Sequence, residues 1–449
     1  VTRDAATNRP DTPTDDRWLY AWAVGYAAVG AASVLLPLYA LSLGADAFHV
    51  GLMASSAAFA GVPGALLWGR LAGRTGRRRP FVVVALWATA SVLTVTPFLS
   101  DPRSLVAANA VLWFFVSAAA PVLNLVVVEG VPESEWDGRI ARLNALQGYG
   151  WLAGLVVGTV WTLVAPRFLG PVAAQRLLVG GLGALSLAAV GLFGRWYPAA
   201  PTTSPARFAR RYRTLGREGW GAGRTMRAMP YGQSRIYWGL RSLRPGRLRE
   251  KFGLPLAGYL AASALFAAGF SVFWGPMPAH LVDLGFGDGT VFVLFLVGTV
   301  GSTVCYEPVG RLTRRVAPHG LQFGALAFRA ALFVATAFLA GSLLVGVSFA
   351  AIGVTWAVIA VTTTGIVTRL APPPVRGDAL GLVAALAGLG GGVGNAVGGL
   401  AAETAGPVAT FGLAAAAVVA GGLLGTFAVV RGDRPAPGGT TGRPTGCDE

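Results

Sequence analysis

The sequence predicts an all-α polytopic membrane protein, with twelve transmembrane helices in two pseudo-symmetric six-helix bundles. Three observations carry the prediction: a composition that water solvates poorly, twelve apolar windows, and an internal repeat. Of 449 residues, 54% are hydrophobic and only 12% charged, against about 25% charged in an ordinary soluble protein. That hydrophobic total suffices for roughly twelve spans of about 20 residues each. Cys305 sits in an apolar stretch and Cys447 in the C-terminal tail. Neither a disulfide framework nor a thiolate metal cluster follows from them, and no metal or cofactor is expected. The formal charge of +16 lies between apolar spans, which points to anionic lipid head groups as partners and away from nucleic acid.

Residues 1–17 read as a polar cytoplasmic tail, and the apolar run 18–43 is a retained first span, being longer than the roughly 7–15 residues of a signal-peptide core. Windows of about 19 residues give the remaining spans near 48–69, 81–99, 105–129, 140–164, 176–196, 253–281, 289–309, 320–341, 343–369, 379–401 and 408–430. The bundles are then 18–196 and 253–430, joined by a basic linker, 197–252, and followed by a tail, 431–449. Even-numbered loops hold the basic excess: Arg70, Arg74, Arg77, Arg78 and Arg79 after span 2, and Arg311, Arg314 and Arg315 after span 8. Odd-numbered loops carry Asp46, Asp101, Asp283, Asp288 and Glu403 instead. Because cytoplasmic segments retain Lys and Arg, both termini are expected in the cytoplasm, with the chain in the plasma membrane. The linker interleaves arginines with Tyr212, Trp220, Tyr231, Tyr237 and Trp238. It reads either as a tether between the halves or as an interfacial segment on anionic lipid.

The two halves match at a fixed offset. Gly69-Arg70-Leu71 precedes Gly310-Arg311-Leu312 by 241 residues, and Pro37 and Leu43-Gly44 precede Pro278 and Leu284-Gly285 by the same 241. Gly148, Gly150, Gly154 and Gly158 of span 5 precede Gly388, Gly390, Gly394 and Gly398 of span 11 by 240. Three blocks at one separation argue for duplicated halves related by an axis along the membrane normal. Spacing of i, i+4, i+8 lays Gly150, Gly154 and Gly158 along one stripe of their helix, and Gly390, Gly394 and Gly398 likewise, so backbones can approach closely. The expected neighbour of each stripe is the opposite half. No strand precedes either run and no GxGxxG register occurs, so a dinucleotide loop is rejected.

These residues carry a resemblance. Gly69-Arg70-Leu71-Ala72-Gly73-Arg74-Thr75-Gly76-Arg77-Arg78-Arg79 is similar to the loop 2–3 motif of the major facilitator superfamily of secondary transporters, with Gly73 where the motif usually has aspartate. The resemblance implies that Arg74, Arg77 and Glu129 form part of a cytoplasmic gate, to which Gly69, Arg70, Gly76 and, by repetition, Gly310, Arg311 and Arg315 belong. It also implies that spans 1, 4, 7 and 10 line a central cavity. Helical spacing then selects Trp22, Tyr26 and Ser33 beside Pro37; Asn109, Trp113, Ser117 and Asn124; Phe270 and Trp274 with Phe266, Phe273 and Met277; and Trp356 and Thr363. Gln147, Tyr149, Tyr306 and Asn395 are weaker additions.

Arg329 is the one deep charge, roughly 13 Å inside span 9 at about 1.5 Å per residue, and an intramembrane ion is a functional candidate by default. A structural pair with Glu307, or snorkelling, is the favoured reading, with an anionic substrate as the alternative. His280 is a candidate for coupling. A membrane enzyme would need clustered His, Asp, Glu or Cys, whereas His49, His280 and His319 lie in separate segments. The only lysine, Lys251, lies in no phosphate-binding loop. The expectation is therefore a secondary transporter, not an enzyme, working by alternating access with a small-molecule substrate and a coupling proton or ion. The sparse charge favours export of a neutral or lipophilic compound; uptake of a metabolite and a non-transporting sensor or scaffold are the alternatives.

Overall fold

The computed structural model describes residues 16–75, 78–127, 135–197, 253–313, 315–372 and 376–432. Among these residues every regular element is helical. The first half holds α1 (Arg17–Ser42), α2 (Ala47–Thr75), α3 (Arg79–Val95), α4 (Pro102–Val127), α5 (Trp136–Val164) and α6 (Pro171–Trp196). The second holds α7 (Leu254–Trp274), α8 (Met277–Asp283), α9 (Asp288–Leu312), α10 (Pro318–Thr336), α11 (Ser342–Leu370) and α12 (Arg376–Gly432). Nine stretches among the described residues are long and apolar enough to cross a membrane. Helices suit this solvent because each backbone donor and acceptor is satisfied within its own segment. Their outward faces carry Val156, Val157, Val160 and Val164 on α5, and Leu343, Leu344 and Val347 on α11, all exposed. A water-soluble chain would bury such rows; here lipid solvates them.

Three expected spans differ from single rods. The seventh breaks into α7 and α8 at Gly275-Pro276, because proline lacks the N–H that would continue the helix and its ring crowds the preceding turn. The eleventh and twelfth run together as α12, 57 residues long and interrupted only at Gly406, where φ is 78°. At about 1.5 Å per residue that length is far more than one bilayer crossing, and the left-handed glycine marks where the chain turns back.

The repeat recurs in three dimensions. Gly44 and Gly285 have φ of 88° and 81°. In each turn the glycine N–H donates to the carbonyl three residues back, Gly44 to Leu41 at 3.0 Å and Gly285 to Val282 at 2.8 Å. The next residue reaches five back, Ala45 to Ala40 at 3.0 Å and Phe286 to Leu281 at 3.1 Å. Both are Schellman turns, closed by a left-handed residue that glycine adopts without strain.

The glycine stripes correct one expectation. A Cβ on Gly150 would stand 2.4 Å from the Ala23 carbonyl oxygen, and one on Gly154 would stand 2.0 Å from that of Ala27. In the second half, Gly390, Gly394 and Gly398 approach the carbonyls of Ala264, Ala268 and Val272 to 2.6, 2.2 and 2.3 Å in the same sense. Both stripes therefore face the first helix of their own half, with partners again 241 residues apart, rather than the opposite half. Only Gly158 reaches across, to the Phe292 ring of α9. Small residues permit this approach within a bundle whose helices have no hydrophobic incentive to associate in lipid.

The halves meet at the end that carries the odd-numbered loops. Gly51 of α2 packs on Asn395 and Gly399 of α12, and Gly289 of α9 packs on Leu163 of α5. Gln175 Nε2 of α6 donates to Asp288 Oδ2 of α9 at 2.7 Å, while Ser42 Oγ of α1 donates to Gln175 Oε1 at 2.7 Å. At the even-loop end, Glu307 and Arg311 pair on α9 with both side chains mostly exposed, while Tyr149, midway along α5, is 68% exposed.

Candidate functional site

A cavity of about 260 Å³ lies inside the second half, at mid-depth of α9, α10 and α11. Trp274 of α7, Phe295, Thr299 and Ser302 of α9, Arg329 of α10 and Trp356 of α11 line it. One wall is an aromatic triangle. Trp274 stands edge-on to Phe349 at 5.2 Å, Trp274 and Phe295 lie 5.6 Å apart, and Phe295 and Phe349 lie 5.8 Å apart. Such offset and perpendicular contacts are the favourable ones for ring quadrupoles. At the opposite side α9 and α11 nearly touch, since a Cβ on Gly353 would stand 2.2 Å from the Gly298 carbonyl oxygen. Close approach at the glycines and separation at the rings together leave the space.

Arg329 is 1% exposed. Its Nε donates to Thr355 Oγ1 at 2.9 Å and its Nη2 to the Ile352 carbonyl. The guanidinium lies 4.5 Å over the Phe270 ring and 5.5 Å from that of Trp356, close enough for a cation–π contribution. Nη1 has no hydrogen-bond partner among the described residues. The expected pair with Glu307 does not form: Glu307 is committed to Arg311, four residues on. Snorkelling is excluded by the burial. The sequence underestimated this arginine because a charge on a helix outside the expected lining set reads as scaffold, whereas its long stem carries the head group between α7 and α11.

The remaining cavity residues from the sequence divide. Trp274 and Trp356 line the cavity, and Phe270 forms the ring beneath Arg329. Thr363 does not line it; it accepts from Gln322 Nε2 at 2.8 Å, and Gln322 in turn accepts from the Tyr259 hydroxyl at 2.9 Å. On α4, Asn109 Nδ2 donates to the Met53 carbonyl of α2 at 2.9 Å, and Ser117 packs against Gly61 of α2. Both polar groups serve the α2–α4 contact rather than a cavity, because helix periodicity selects a face without saying which neighbour covers it. Ser33 Oγ donates to its own helix at Gly30, and Asn124 is half-buried. Trp22 and Tyr26 lie 5.9 Å apart, Tyr26 and Trp151 5.9 Å, and Trp113 and Trp151 6.5 Å, an aromatic cluster in the first half to which Trp151 was not assigned from sequence. His280, buried, meets Phe411 edge-on at 5.0 Å.

Phe295, Thr299 and Ser302 were also missed. With Tyr306 they repeat at i, i+4, i+7, i+11, one face of a helix, a signal present in the sequence but on a span outside the expected lining set. Of the gate, Gly76, Arg77 and Glu129 lie outside the described residues, as do the side chains of Arg70 and Arg74 and the surroundings of Gly69. Gly310 meets nothing within 4 Å of an added Cβ, and Arg315 is exposed. The linker aromatics and arginines also lie outside the described residues.

A family model described as Major Facilitator Superfamily matches residues 19–386. No curated protein matches the chain in sequence. Among solved structures, the chain is similar to the nucleoside transporter NupG at 12% identity, with a TM-score of 0.68 and coverage of 94% of this chain and 99% of that one. A bacterial homologue of the human lysosomal transporter Spinster, solved inward-facing and unoccupied, matches at 12% identity and a TM-score of 0.64, covering 94% of this chain and 97% of that one. The human organic anion transporter MFSD10 matches at 14% identity and a TM-score of 0.54, covering 93% of this chain and 99% of that one. At these identities the likeness is one of fold.

Proposed function

Because the chain belongs to the major facilitator superfamily, we propose that it is a secondary transporter which carries a small, largely apolar organic solute by alternating access, through the cavity between α7, α9 and α11. The observation that carries this reading is the aromatic-walled space at mid-depth, lined by Trp274 and Trp356 from the two second-half helices expected to bind substrate. Substrate sites of carriers built from repeats lie near the bilayer midplane. On the expected twelve crossings with both termini cytoplasmic, the odd-loop end would be the outer one, and contacts such as Gly51 with Gly399 support an inward-open arrangement. Substrate then enters or leaves on the cytoplasmic side, and rocking exchanges the outer contacts for inner ones. The arginines after α2, with Glu129, would supply those inner contacts, each biasing one state by its differential pairing. The basic linker would rest on anionic head groups.

Apolar walls favour a compound that partitions into lipid, and export of such a compound is the direction proposed. Flux measured in proteoliposomes across a panel of small aromatic compounds, with and without an imposed pH gradient, tests this. The reading expects saturable flux that Trp356→Ala lowers at least tenfold. Inserted, folded protein with no saturable flux for any compound would contradict it, and net movement inward under every gradient would contradict export.

A further inference from the structure

The second-half cavity contains a polar group that its apolar walls do not explain. We propose that it binds the carboxylate of a small aromatic monocarboxylate, with Arg329 Nη1 as the donor and the Trp274–Phe295–Phe349 wall holding the ring. This deepens the transport reading and rests on it for its meaning, though not for its test.

Three observations converge. Arg329 is 1% exposed, lines the cavity, and spends two of its three nitrogens on Thr355 and Ile352, leaving Nη1 without a protein partner among the described residues. A buried charge is tolerated only when paired and hydrogen-bonded, and leaving one uncompensated is strongly destabilising. Rings offset part of that cost through Phe270 and Trp356, but an N–H···π contact is weaker than a hydrogen bond to an oxygen acceptor. The Thr355 and Ile352 bonds also fix the guanidinium in place, so a bound anion meets an oriented donor and forms a charge-assisted bond without ordering a flexible side chain.

The rest of the cavity specifies the body of the ligand. Its other polar side-chain groups are the Thr299 and Ser302 hydroxyls, each already donating to its own helix, at Phe295 and Thr299 respectively, and the neutral indole N–H groups of Trp274 and Trp356. These can accept or contribute neutral hydrogen bonds, whereas the one charged donor lining the cavity is the arginine. One anionic group is therefore accommodated and a dianion is not. At about 260 Å³ the space lies at the small end of ligand sites, which suits one ring plus a carboxylate. Inorganic anions lack the apolar surface that Trp274, Phe295 and Phe349 would cover.

Equilibrium binding of radiolabelled benzoate and of benzamide, its neutral isostere, to purified protein in nanodiscs at neutral pH tests the proposal without a gradient or flux. The expected result is benzoate binding at least about tenfold tighter than benzamide, the scale of one hydrogen bond to a charged group. That preference is lost in Arg329→Gln and partly kept in Arg329→Lys. Thr299→Leu, which fills the cavity from α9 and leaves every Arg329 contact in place, lowers binding of both compounds and guards against a folding defect in the arginine variants. Equal affinity for the two compounds, a preference that survives in Arg329→Gln, displacement of benzoate by equimolar phosphate, or no benzoate binding would each overturn the proposal. Benzoate binding of the expected pattern in a protein that shows no flux of any compound would support this site while refuting the transport reading.

Discussion

Gln175 of α6 donates its amide N–H to the Asp288 carboxylate of α9 at 2.7 Å, joining the two halves at the odd-loop end. The same glutamine accepts from Ser42 at the end of α1, so its orientation is set from the first half before it meets the second. A hydrogen bond to a carboxylate is worth on the order of 1.5–3 kcal/mol when desolvated and less when water reaches it. Opening the odd-loop end must break this bond, so it favours the arrangement seen here. Asp288→Ala is expected to shift the open-to-closed ratio at that end by about fivefold, or roughly 1 kcal/mol. Thiol labelling of Phe292→Cys, in a background lacking Cys305 and Cys447, reads the shift: Phe292 is fully buried against Gly158, and its labelling rate should rise in the variant.

Glycine packing within each half predicts a graded series. Gly394→Ala would place a Cβ 2.2 Å from the Ala268 carbonyl oxygen, and Gly154→Ala would place one 2.0 Å from that of Ala27. Backbone cannot swing aside as a side chain can, so each substitution is expected to destabilise by about 1–3 kcal/mol, the range of overpacked sites. Gly310→Ala, with nothing within 4 Å, should be neutral or slightly stabilising. Thermal unfolding in detergent, followed by size-exclusion recovery, orders the three.

Asn109→Ala distinguishes a structural from a substrate role for the α4 stripe. Loss of Nδ2 leaves the Met53 carbonyl without this donor, at an expected cost of about 1–3 kcal/mol. Substrate affinity of the folded fraction should change less than twofold, because the side chain faces α2 and not a cavity. A large loss of affinity at unchanged stability would return Asn109 to the binding site.

Acid sensitivity at the odd-loop end has a defined sign. Partial burial pushes the Asp46 carboxyl up, but hydrogen bonds from the His49 backbone N–H and ring, with the His49 charge, outweigh it and hold the carboxyl below its ordinary value. A depressed folded-state value means that the stabilisation is present above the unfolded carboxyl pKa and is lost as pH falls through the folded one. Melting temperature of the wild type should therefore decline below about pH 4 more than that of Asp46→Asn. The difference should be small, since the Asp46 side chain is 41% exposed and solvent screens the pair.

Much of the architecture is legible in the sequence because lipid imposes it. Spans follow from apolar length, and the duplicated halves follow from Gly44 with Gly285 and from the two glycine stripes, whose contacts recur at one offset. Legibility ends where a property depends on which neighbour covers a face. The spacing groups Asn109 with Ser117 on one face, and that face meets α2; a helix pattern does not encode whether α2 or a cavity lies opposite. Trp274 and Trp356 stand on helices the sequence expects to line a cavity, and both border the one in the second half. Phe295, Thr299 and Ser302 stand on none of those helices, although their periodicity is equally regular. Arg329 shows the same limit at its sharpest: its depth was readable from residue count, but the path of its side chain past Phe270 to the cavity is a tertiary fact.

Alternating access requires the two halves to move as bodies, closing one end as the other opens. Double electron–electron resonance measures it directly, with spin labels at Phe168 and Leu343 across the odd-loop end, both highly exposed, and at Arg195 and Arg315 across the even-loop end, also exposed. On introducing Asp288→Ala in nanodiscs, the Phe168–Leu343 distribution should gain a longer component while the Arg195–Arg315 distribution gains a shorter one in equal proportion. Distances that lengthen together, or an even-loop distribution that stays fixed while the odd-loop one widens, would contradict alternating access.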